Sequence, residues 1–153
     1  MKALRNSFLC LILLCGAMVL GAQAPQWQWA VSAGGTEWDI GQTLAIDSQG
    51  NQYVIGRFGY TATFGSHILT ASGGEFDEDI FIAKLDPSGN WLWVVQAGGI
   101  GDEWARCIAL DGENNVYIGG YFEGTAAFGS QTLTAGGGEF DEDIFIAKLD
   151  PSG

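Results

Sequence analysis

Basic residues, histidine, cysteine and proline are all scarce in this 153-residue chain, and each shortage excludes something. Six Lys and Arg stand against 18 Asp and Glu, a formal net charge of −12. A surface of that sign repels nucleic acid and anionic membranes. His67 is the only histidine, so no zinc set of paired His and Cys can be assembled. Three prolines and 24 glycines, with no helix-period patterning, argue against a helical fold. No segment supplies the roughly 20 consecutive apolar residues that a membrane-spanning helix needs.

The N-terminus has the layout of a secretory signal peptide. Lys2 and Arg5 precede an apolar run from Phe8 to Leu20, and the small residues Gly21, Ala22 and Ala24 follow. Cleavage after Ala22 or after Ala24 is expected, which makes residues 1–22 the leader in the first case. Cys10, Cys15, Lys2 and Arg5 leave with it, so four basic residues face 18 acidic ones and the mature charge becomes −14. Only Cys107 remains, and an internal disulfide is impossible. Phe8-Leu9 and Leu13-Leu14, lying before the two leader cysteines, do not suit lipid attachment. The destination read from the leader is secretion or the bacterial cell surface, with no transmembrane segment left after processing.

What the chain has in abundance is repetition. Gly73 to Gly89 recurs without a substitution as Gly137 to Gly153, a shift of 64 positions. The same shift carries Trp27 to Trp91, Asp47 to Asp111, Tyr53 to Tyr117 and Phe64 to Phe128. The chain therefore divides into residues 23–89 and 90–153, each a copy of one unit. Repeats of this period stack, because each unit leaves an apolar face that a neighbour covers.

Short runs of β-branched and aromatic residues between Gly, Asn, Asp and Ser clusters predict an all-β fold. Strands are expected over Trp27 to Ser32, Gln42 to Asp47, Asn51 to Phe58, Ile80 to Leu85 and Trp91 to Gln96. The turns Asp47-Ser48-Gln49-Gly50-Asn51, Asp86-Pro87-Ser88-Gly89-Asn90 and Asp111-Gly112-Glu113-Asn114-Asn115 join hairpins. Their Asp is placed to cap the turn, and Gly50, Gly89 or Asn114 to take positive φ. The polar stretch Thr61 to Gly74, and its copy Thr125 to Gly138, has room for one short strand. Ile80, Ile82 and Lys84 face opposite to Phe81, Ala83 and Leu85, so the strands load both faces and belong between stacked sheets. Blades of four antiparallel strands fit this pattern, with a two-sheet sandwich as the alternative.

Leu44-Ala45-Ile46-Asp47, Gly50-Asn51, Tyr53-Val54, Gly56 and Phe58, then Thr63-Phe64-Gly65, then Asp79-Ile80-Phe81-Ile82-Ala83-Lys84-Leu85-Asp86, Gly89-Asn90 and Trp93 resemble the bacterial SBBP repeat. That family is named for a seven-bladed β-propeller and is common among secreted and surface proteins. The resemblance implies an incomplete propeller of two blades and a location, and it carries no catalytic residues. Two blades do not close a ring, which roughly four to eight blades do. Either the chain is a piece of a longer array, or several chains complete the ring by self-association, with the Trp27 strand finishing the last blade.

The candidate site residues are acidic. Asp77, Glu78 and Asp79, with Glu75, recur as Asp141, Glu142 and Asp143, with Glu139, and suggest weak calcium ligation. Read as an EF-hand loop from Asp77, Phe81 and Ile82 occupy positions that need a ligand and a glycine. A solvated acidic rim, with Asp79 capping a turn, is the alternative. His67 reads as a surface-loop residue, replaced by Gln131 in the second copy; Ser66 and Ser130 have no base beside them for nucleophilic work. Cys107 is expected as a small core side chain. Trp27, Trp29, Trp91 and Trp93 are expected to pack between blades, while Trp38 and Trp104, beside carboxylates in irregular segments, serve either as plugs or as a glycan or cation site.

These readings converge on a secreted, non-catalytic binding or scaffolding module with an unidentified protein or glycan ligand and no cofactor. A carbohydrate-active enzyme or lectin using loop carboxylates and Trp, and a calcium-stabilised adhesive repeat, are the alternatives.

Overall fold

A computed structural model describes residues 24–73, 77–137 and 141–153. All regular structure among them is β. The strands are β1 (Gly34–Gly35), β2 (Asp39–Ile46), β3 (Gln52–Gly59), β4 (Thr61–Phe64), β5 (His67–Thr70) and β6 (Glu78–Leu85). They continue as β7 (Trp91–Ile100), β8 (Glu103–Leu110), β9 (Val116–Glu123), β10 (Thr125–Phe128), β11 (Gln131–Thr134) and β12 (Glu142–Leu149). Three antiparallel sheets result, in orders β1-β4-β5, β11-β10-β7-β6-β3-β2 and β12-β9-β8. None closes on itself. Among the described residues no helix is long and apolar enough to cross a membrane.

Turn chemistry fixes the hairpins. Asp47 Oδ1 accepts from the backbone N–H of Gln49 and of Asn51 at 2.9 Å, and its Oδ2 accepts from Asn51 Nδ2 at 2.8 Å. The same three bonds recur at Asp86 with Ser88 and Asn90, and at Asp111 with Glu113 and Asn115. Gly50, Gly89 and Asn114 have φ of 85°, 84° and 63°, the left-handed region in which Gly and Asn are the least strained residues. The Asn115 amide, acting with these backbone donors, holds Asp111 down to about 2.

Two sequence expectations for secondary structure are corrected. Trp27 to Ser32 lies in no strand; its counterpart Trp91 to Gln96 pairs with β6, and residues 27–32 have no such partner among the described residues. The stretch Thr61 to Gly74 holds two strands, β4 and β5, joined as a hairpin in register Thr61↔Thr70 to Phe64↔His67. His67 is thus a half-buried strand residue, not a loop residue.

The strands bury both faces in two clusters. Tyr53, Ile55, Ile80 and Ile82 pack against Ala105, Val116, Ile118, Phe122 and Phe145 of the second copy. On the opposite face Phe58, Phe81 and Ala83 pack under Ala62 and Phe64 of the β4–β5 hairpin. Burial of this kind stabilises by about 25 cal/mol per Å² of apolar surface.

Cys107 is exposed, contrary to expectation. A bulge between Ala105 and Cys107 inserts Arg106 and turns Cys107 to the face opposite buried Ala105.

Candidate functional site at the seam between the two copies

Where β7 ends and β8 begins, the chain turns through Gly98, Gly99 and Gly101, and acidic side chains from β6 and β8 meet there. Asp79 and Glu103 are both 0% exposed, and Asp77 is buried as well. The reading of a solvated acidic rim is therefore corrected for Asp77 and Asp79: the seam between copies covers them. Gly98 makes their approach possible, since a Cβ on that residue would overlap the Asp79 carboxylate and lie 2.7 Å from Glu103 Oε2.

Each carboxylate has a different set of partners. Asp77 accepts backbone N–H bonds from Gly101 at 2.8 Å and Gly73 at 2.9 Å. Asp79 Oδ2 accepts from the N–H of Ser72 at 3.1 Å, the hydroxyl of Ser72 at 3.0 Å and Gln96 Nε2 at 3.3 Å. That leaves Asp79 Oδ1 and both Glu103 oxygens buried without a donor. Burial, aided by the neighbouring charge of Asp79, pushes Glu103 up to about 9. Burial also raises Asp79 to about 6 against the pull of Ser72, and it raises Asp77. Two carboxyls in one dry pocket disfavour joint ionisation, so the pair retains a proton at neutral pH, with the larger rise at Glu103.

The remaining candidates lie apart. Glu78 forms an ion pair with Arg57 at 3.0 Å and accepts from Trp104 Nε1 at 3.3 Å. Asp141 and Glu142 are exposed, and Asp143 is half-buried with one N–H bond from Gly136 at 2.8 Å. Glu75 and Glu139 lie outside the described residues. Among the described residues no three His, Cys, Asp or Glu side chains form a metal-binding group. Neither Ser66 nor Ser130 lies on a strand; both are exposed.

The tryptophans divide by environment. Trp93 stands edge-on to Tyr53 at 6.0 Å and donates to Pro151 O at 3.3 Å; Trp29 makes the equivalent bond to Pro87 O at 3.0 Å. Trp91 packs edge-on to Phe64 at 5.3 Å. Trp27 and Trp38 are exposed, at 95% and 74%. Trp104 lies on β8 rather than in an irregular segment, and it carries the Arg57 guanidinium at 4.9 Å and that of Arg106 at 5.4 Å. With two guanidiniums already on its ring, it is poorly suited to take a further cation.

Sequence reasoning took Glu103 only as one of the carboxylates beside Trp104 and missed that it meets Asp79. The signal was available: the 64-residue shift sets Glu103 against Asp39, an acid in both copies, each after a Gly-Gly pair at Gly34-Gly35 and Gly98-Gly99.

No protein-family model matches the chain, and no curated protein sequence matches it.

Proposed function

We propose that this chain is an exported, non-catalytic repeat module of propeller type, with two SBBP-like blades, acting in binding or scaffolding outside the cell or at its surface. The observation that carries the reading is that contacts recur at the period of the sequence. Trp29 docks on the Pro87 turn as Trp93 docks on the Pro151 turn, and β4 pairs with β1 as β10 pairs with β7. Periodic contacts between units are how stacked repeats are built. β2-β3-β6-β7 are consecutive neighbours within the six-stranded sheet, and β8-β9-β12 repeat the order of the first three, which is the arrangement that the blade reading calls for.

The seam supports a structural role over catalysis. The Asp79 and Glu103 carboxyls have no exposed surface and cannot reach a sugar, so this pair does not supply the acid and base that a glycosidase needs. Both Asp77 oxygens are already engaged by backbone N–H groups, which leaves little for calcium.

Expression with its leader in a bacterial host tests the proposal. The expected product is found outside the cytoplasm, begins at Gln23 or Pro25, and turns over none of a panel of glycoside substrates. Retention of residues 1–22 in a cytoplasmic product would remove the export reading. Glycoside hydrolysis that disappears in Asp79→Asn would remove the non-catalytic one.

A further inference from the structure

The two copies share a sequence but not an environment. Tyr53, Ile80 and Ile82 are 0%, 0% and 4% exposed, because the second copy covers them; their counterparts Tyr117, Ile144 and Ile146 are 37%, 83% and 80% exposed. At the other end, Ile108 and Leu110 are half-buried against the first copy, whereas their counterparts Leu44 and Ile46 are 56% and 61% exposed. Beside Leu44 lies a groove of about 320 Å³ lined by Trp29, Val31, Val54 and Phe81. One end of the molecule thus shows the face that the seam covers from the first copy, and the other end shows the face that does the covering.

Backbone groups repeat the same division. β6 pairs on both edges, with β3 and with β7, while among the described residues β12 pairs only with β9. Residues 27–32, Trp-Gln-Trp-Ala-Val-Ser, share the two tryptophans and the valine of Trp91 to Gln96 in β7, and among the described residues they join no strand. They already hold the position relative to their own unit that β7 holds relative to the second, through the bond from Trp29 to Pro87. Asp39 Oδ1 is buried without a donor, and Asp39 occupies the place of Glu103. Asp143 occupies that of Asp79.

We propose that copies of this chain associate head to tail, residues 27–32 of one adding to the free edge of β12 of another while Leu44 and Ile46 cover Ile144 and Ile146. The register follows from the internal pair: Ile82↔Val95 and Lys84↔Trp93 place Val31 opposite Ile146 and Trp29 opposite Lys148. Strand addition gains backbone hydrogen bonds and covers an open edge, and the association is heterologous, joining unlike faces. The inference rests on the repeated geometry and stands whether or not the chain is exported or catalytic.

The test is sedimentation of the purified chain over a concentration series, with one variant for each end. Ile146→Asp blocks the tail and Leu44→Asp the head; both positions are exposed, and far-UV circular dichroism checks that each variant keeps its strands. Wild type is expected to form species of two or more chains. Each variant alone is expected to be monomeric, with association weakened at least about tenfold. An equimolar mixture is expected to give one complex of two chains and nothing larger, because only one competent head and one competent tail remain. A second head variant, Val31→Pro, which removes the N–H needed for strand addition, is expected to behave as Leu44→Asp. A monomeric wild type, a single variant that associates as wild type does, or a mixture that stays monomeric would overturn the proposal. Association through the apolar residues 8–20, which no variant alters, would appear as the second of these.

Discussion

Replacing Glu103 by Gln is expected to abolish the pH dependence of stability in the neutral range. In the folded chain Glu103 keeps its proton to about 9, while in the unfolded chain it ionises near the ordinary value of 4.5. A carboxyl with a raised folded pKa contributes fully below its unfolded pKa, and the contribution falls as pH rises towards the folded one. The slope is about 1.4 kcal/mol per pH unit for one proton. Asp79, raised to about 6, adds to the slope only at lower pH, so above it Glu103 acts alone. Between about pH 6.5 and 8.5 the wild type should lose roughly 2–3 kcal/mol. Gln keeps the shape of Glu103 and offers Asp79 Oδ1 an N–H that does not titrate, so the slope should vanish and the variant should be the more stable by about 5 kcal/mol near pH 8, the slope summed from the unfolded pKa of 4.5. Urea unfolding at several pH values measures both, with the m-value as the check that the same transition is followed. Equal slopes in the two proteins, or a flat wild type, would refute a shared proton at the seam.

Other outcomes follow from single positions. Gly98→Ala places a Cβ against Asp79 and Glu103 and should cost about 1–3 kcal/mol in the same unfolding assay. Tyr60 has φ of 54° where the second copy has Gly124 at 58°; Tyr60→Gly should raise stability by about 1 kcal/mol by relieving left-handed strain, the opposite of the usual cost of introducing Gly. The melting temperature should be the same in millimolar calcium as in chelator, since a cation at the acidic seam would show as a rise in calcium.

Local chemistry was legible in the sequence, and contacts across the seam were not. The Asp-x-x-Gly-Asn turns could be read because the donor and acceptor lie within four residues, and the structure places Gly50, Gly89 and Asn114 in the conformation their side chains, or lack of one, allow. Trp27 to Ser32 has the alternation of a strand but no partner among the described residues, and alternation alone does not make a strand. The burial of Asp79 depends on Glu103, 24 positions away, and on the missing side chain of Gly98 between them; a run of acids read along the chain looks solvated. Cys107 was misjudged because a single inserted residue, Arg106, reverses which face its strand presents, and nothing in the composition of β8 marks that bulge.

Gly73 to Gly89 and Gly137 to Gly153 form an internal control for that distinction. One sequence makes β6 and β12, each eight residues long and paired in the same register with β3 and β9 respectively, so strand formation and turn chemistry travel with the residues. Exposure does not: Phe81 and Phe145 are 5% and 3% exposed, yet Ile80 and Ile144 are 0% and 83% exposed. Phe81 and Phe145 face the hairpin that their own unit supplies, β4–β5 or β10–β11, and are covered in both copies. Ile80 and Ile144 face the next unit, which only the first copy has within the described residues. Fully burying an Ile contributes about 1.5–3 kcal/mol, so the open face leaves several kcal/mol unrealised at Ile144 and Ile146 together. That is a driving force of the size that holds specific interfaces, located on the face where the repeat would place its next neighbour.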